Sequence, residues 1–225
     1  LILASVGTHA INSSLYPNMR YDPVKDFRPV ALFAAVPTVL VSLNFDAGSA
    51  ADSLDTPGTQ SLMLGLLDEG TTSRDAIAIA EEQERLGARI SAGAGQDASA
   101  VTLSALTPNL APSLALLADV TRNPAFAPAE VARVRDQQLA EIAQVNANPR
   151  GIAMRRIAPL LFGSQHPYGL PGDGLGEAGA VAALTPEALR TAHQRWLRPD
   201  ALRINVVGDV AMDQLKPLLE QAFGS

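Results

Sequence analysis

The stretch GTQSLMLGLLDEGTTSRDAIAIAEEQERLGARISAGAGQDASAVTLSAL, residues 58–106, decides the fold class. Residues 58–67 repeat their apolar side chains at helical spacing and stop at Asp68-Glu69-Gly70. Thr72 and Asp75 stand at capping-box spacing, so Thr72 is expected to accept from first-turn amides while Asp75 reaches back. The helix they open runs to Gly87, a residue type that ends helices in a left-handed turn. Residues 89–95 and 98–106 then read as a hairpin, with Val101, Leu103 and Ala105 alternating against Thr102, Ser104 and Leu106. The expected fold is α+β, an antiparallel sheet with its helices packed mainly on one face.

Outward from this segment the same rules place further elements. Residues 112–121 form a helix with Leu114, Leu117 and Val120 on one side. Residues 128–146 form a longer one with Pro128 in its first turn, and residues 150–162 another. Residues 166–176 are a loop rich in glycine and proline. Thr185 caps a helix through Trp196, with Pro186 at its first position. Residues 201–207 read as a buried strand, and Asp213 as the cap of a closing helix. Upstream, residues 29–35 and 38–45 read as two β-branched strands around Pro37.

Composition excludes several function classes. Of 225 residues, 47% are hydrophobic and 18% charged, enough for a real core and too little charge for a disordered chain. A net charge of −6 argues against nucleic-acid binding, which calls for a basic face. With no cysteine, disulfide frameworks, thiolate metal sites and cysteine nucleophiles are excluded. The longest apolar run, residues 30–43, is broken by Pro37 and too short for membrane insertion. The sequence opens at Leu1 with no signal peptide visible and reads as a fragment.

Eight strings carry a family resemblance: Phe45-Asp46-Ala47-Gly48-Ser49 with Asp52, Leu67-Asp68-Glu69-Gly70-Thr71, Leu86-Gly87-Ala88, Asn123-Pro124-Ala125-Phe126, His166-Pro167-Tyr168-Gly169, Leu184-Thr185-Pro186-Glu187-Ala188-Leu189, Trp196-Leu197-Arg198-Pro199-Asp200, and Val206-Val207-Gly208-Asp209. Together they resemble the insulinase or pitrilysin type of zinc peptidase over residues 44–225. Active members carry H-x-x-E-H before the E-G-T turn, where two histidines one helical turn apart grip zinc and the glutamate activates water. Alignment on Glu69-Gly70-Thr71 puts Ser61 and Gly65 at the histidines and Leu64 at the glutamate. The third ligand falls near Glu141, which reads as a surface helix residue or a remnant ligand. The resemblance implies a non-catalytic subunit or domain that holds no metal itself. It would enclose peptide substrate with a zinc-bearing partner, either a catalytic subunit or a second homologous domain. It also implies a periplasmic or cell-envelope location. Two other readings stay open: an active zinc metalloendopeptidase with unrecognised ligands, and a carboxylate-binding fragment.

The last of these comes from residues 1–40, where Ser5-Val6-Gly7-Thr8-His9 and Tyr21-Asp22-Pro23-Val24-Lys25-Asp26-Phe27 resemble a periplasmic substrate-binding protein of tripartite tricarboxylate transport. The expected division is therefore a fragment at 1–43 and an insulinase-type domain at 44–225. Residues 28–35 and 38–46 are expected to form a hairpin on the sheet edge. Of the three histidines, His9, His166 and His193, no two are four apart; His166 is expected to shape its turn and His193 to pack. Gly172, Gly174 and Gly176 follow no strand and do not read as a phosphate loop. Ser61 has no base beside it in sequence, Met63 reads as core, and Arg133, Arg135, Asp136 and Glu141 read as a solvated face.

Overall fold

A computed structural model describes residues 37–224. Strand β1, Thr38–Phe45, alternates strictly: Val39, Val41, Leu43 and Phe45 are buried, whereas Leu40 on the opposite face is exposed. A short helix α1, Thr59–Leu64, and a longer α2, Ala76–Leu86, lead into the hairpin β2, Arg89–Ala94, and β3, Ser99–Leu106. Then follow α3, Leu110–Arg122; α4, Pro128–Asn146; α5, Pro149–Phe162; α6, Ala178–Ala182; and α7, Pro186–Trp196. Strand β4, Leu202–Gly208, and helix α8, Met212–Phe223, complete the described residues.

The four strands run antiparallel in the order β2-β3-β1-β4. The buried faces of β1 and β3 meet Leu62, Met63, Leu66, Leu67, Leu114 and Leu117 in a single apolar core, so the helices cover one face, as expected. Helix α4 has the bounds read from sequence, and the Thr185 hydroxyl accepts from Ala188 N–H at 3.2 Å to open α7.

Several expectations are corrected. Residues 38–45 do not lie on the sheet edge: β1 is interior, bonded to β3 on one side and β4 on the other. The boundary expected at 43/44 therefore falls inside a core strand, and the compact unit begins at Pro37. Residues 28–35, like the rest of the expected transporter fragment up to residue 36, lie outside the described residues. Helix α1 is shorter than residues 58–67, because Gly65 ends it and the chain turns. Asp75, not Thr72, caps α2 through Ala78 N–H at 2.8 Å; the Thr72 amide instead donates to Asn123 O. Among the described residues strand β4 is an edge with half-exposed residues rather than a buried strand, and Val207 is 72% exposed. Asp213 sits in the first turn of α8, while Ala211 occupies the cap position.

Candidate functional site

Helix α1 is held by one buried carboxylate. Asp52 accepts from Gly58 N–H at 2.7 Å and Gln60 N–H at 3.0 Å, satisfying amides that a helix start leaves orphaned. Burial pushes the Asp52 carboxyl up to about 6, and the amides of Gly58, Gln60 and Thr59 pull it part of the way back. Gly58 stands at φ +98°, a conformation open to glycine.

The three positions at which the resemblance implies a metal motif now have surroundings. The Ser61 hydroxyl donates to Gly174 O at 2.7 Å. Leu64 is 1% exposed and belongs to the core. Gly65 is the exposed C-terminal cap of α1, and a Cβ there would lie 3.7 Å from Val134 on α4. A hydroxyl, an alkyl group and a bare backbone do not fit the zinc ion that the family's active sites hold. Among the described residues, no three His, Cys, Asp or Glu side chains gather where they could bind a metal.

Glu141 is exposed on α4 and walls a cavity of about 530 Å³ together with Asn148, Arg150, Met154 and Leu175. On the same helix, Val134 lies against Gly65 and Gln138 reaches Gly58. The face expected to be solvated is partly tied down: Arg133 pairs with Glu130 at 2.9 Å and with Glu69, and Arg135 donates to Leu184 O.

Two residues that looked ordinary in sequence organise the loop beside α1. Gln138 donates to Gly58 O at 3.2 Å and Leu175 O at 2.8 Å. Arg155, 8% exposed on α5, pairs with Asp173 at 2.7 Å and Glu177 at 3.3 Å and donates to Gly176 O. Gln138 carried one signal, its place in the inward series Val131, Val134, Gln138, Ile142 of α4. His166 shapes its turn as expected, accepting from Tyr168 N–H at 3.1 Å and stacking on Phe162. His193 packs against Phe126, with Nε2 2.8 Å from Thr121 O, and burial holds it below its ordinary range. His9 lies outside the described residues.

The family model described as Insulinase (Peptidase family M16) matches residues 32–166. The chain belongs to this family. A relative named as an uncharacterized zinc protease of Mycobacterium tuberculosis is 28% identical over 191 residues, which cover 85% of this chain and 43% of the relative. A solved structure, the inactive domain of an M16 peptidase from Pseudomonas fluorescens, matches 84% of this chain and 45% of its own at 30% identity, with a TM-score of 0.78. The periplasmic protease PqqL from Escherichia coli shares the fold at 22% identity and a TM-score of 0.72, covering 83% of this chain and 21% of that one. The chain thus spans less than half the length of these proteins.

Proposed function

We propose that this chain is a non-catalytic M16 domain that encloses and binds peptide beside a zinc-bearing partner, a catalytic subunit or a second homologous domain. The carrying observation is the residue set at 61, 64 and 65: no imidazole, no carboxylate, and a leucine that is 1% exposed. Metal capture and water activation need those groups on one helix face, and Glu141 alone cannot replace them. Likeness to an inactive M16 domain supports the reading, as does a chain that leaves more than half of its relatives' length uncovered.

Peptide binding has a physical basis in strand β2. Among the described residues it is a sheet edge that packs near α1; Gln83 Oε1 takes the Ile90 amide at 2.7 Å, and beyond that point an extended peptide can pair with the strand's outer backbone without demanding one sequence. Zinc belongs to the partner in this reading, and the PqqL likeness favours a periplasmic setting. Residues 1–31 fall outside the family match. Among the described residues no helix is long and apolar enough to cross a membrane.

The test is metal content by mass spectrometry after zinc dialysis, paired with a peptidase assay with and without an H-x-x-E-H homologue from the same source. The chain alone is expected to hold no stoichiometric zinc and to cut nothing, and to alter cleavage by the homologue. Stoichiometric zinc with cleavage by the chain alone overturns the reading.

A further inference from the structure

The loop at 171–176 lies unusually close to α1. A Cβ on Gly176 would sit 2.0 Å from Pro57 O, and one on Gly58 would sit 2.5 Å from Leu175 O. Neither glycine can carry a side chain while the two segments stay in contact, and Gly174 and Gly176 stand at φ +71° and +77°. Gly174 takes the Ser61 hydroxyl through its carbonyl, and the next residue, Leu175, lines the cavity that Glu141 walls. The loop therefore touches both ends of the site that the resemblance implies. It is fastened from two sides: by Gln138, which bridges Leu175 O to Gly58 O, and by the buried Arg155, which spans Asp173, Gly176 O and Glu177. Breaking either fastening strands buried polar groups, which keeps the loop shut.

We infer that residues 171–176 form a strap laid over the Ser61 end of α1 and latched by Gln138 and Arg155, which leaves Ser61 half-buried and narrows the access of peptide and metal to this face. The inference rests on reading positions 61, 64 and 65 as the family's metal-motif positions. The ancestral face is then partly covered as well as stripped of ligands, and bound peptide is directed to the β2 edge. The cover is asymmetric: Gly65, at the other end of α1, is exposed.

That asymmetry supplies the experiment. The chain has no cysteine, so Ser61→Cys and Gly65→Cys each give it a single thiol. Native-state labelling with a small neutral maleimide, followed by mass spectrometry, reads the cover directly. The thiol at position 61 is expected to react at least roughly tenfold more slowly than the one at 65, because reaction awaits local opening. Adding Arg155→Ala to Ser61→Cys is expected to remove most of that difference, with circular dichroism confirming the fold. If Arg155→Ala does not fold, Gln138→Leu takes its place, since it removes one latch at similar volume. Equal rates at 61 and 65 in the latched protein overturn the strap, and so does a slow thiol at 61 that neither latch variant accelerates. Labelling is independent of zinc and of cleavage, so its failure is separable from failure of the non-catalytic reading.

Discussion

Replacing Asp52 with asparagine isolates the carboxylate that starts α1. Asparagine keeps one oxygen for the amides of Gly58 and Gln60 but turns an NH₂ toward the other, a cost of about 1–3 kcal/mol relative to the carboxylate. The informative quantity is the pH dependence. Burial raises the folded carboxyl from 3.8 to about 6, so the folded state binds the proton more tightly than the unfolded chain does. Its stabilising share is complete below about 3.8 and is lost as pH rises through about 6. Linkage over that interval gives a loss of about 1.4 kcal/mol between pH near 5 and pH near 8. Urea unfolding followed by circular dichroism at both pH values, on the wild-type chain and Asp52→Asn, measures it. The wild-type minus variant difference is expected to shrink by that amount on going to the higher pH. A difference that stays constant, or grows, refutes the assignment of a proton to this buried carboxyl.

His193 has the opposite sign: burial lowers it from 6.5, so its stabilising share is present above about 6.5 and is lost as pH falls through the lowered value. His193→Gln keeps a donor toward Thr121 O, and its thermal midpoint is expected to fall less steeply in mild acid than wild type; parallel curves would show that His193 does not titrate on unfolding. For the β2 edge, backbone amide shifts measured with a non-cleavable extended peptide are expected to cluster at Arg89–Ala94. Silence along both β2 and β4 would remove the edge-docking idea.

Elements with a local chemical cause were readable before any coordinates. Pro128 and Thr185-Pro186 announce their helices, and the alternation at Val101, Leu103 and Ala105 announces the hairpin. What escaped depends on distant partners. Thr72 and Asp75 are both cap residue types, and the backbone bonds of Thr71 N–H to Arg74 O and of Thr72 N–H to Asn123 O hold residues 71–74 in a turn outside the helix, leaving the cap to Asp75. Strand order has no local signature, so the interior place of β1 could not be read from Thr38–Phe45 alone. The apolar residues Ile204, Val206 and Val207 suggested a buried strand, yet a sheet covered on one face leaves alternate residues in water. At the site, Ser61, Leu64 and Gly65 were found through a motif, whereas Gln138 and Arg155 were missed because polar residues on helices usually face solvent. Their partners, Leu175 and Asp173, lie far along the chain.

The placement of β1 bears on how the protein is born. One side of β1 is met early, when residues 99–106 emerge from the ribosome, but the other must wait for residues 202–208. Through that interval a strongly apolar strand offers a bare row of amides and carbonyls to whatever is nearby, including sibling nascent chains. Completion of the fold is thereby tied to arrival of the C-terminal strand, and truncations upstream of residue 202 remove the strand that pairs with that flank.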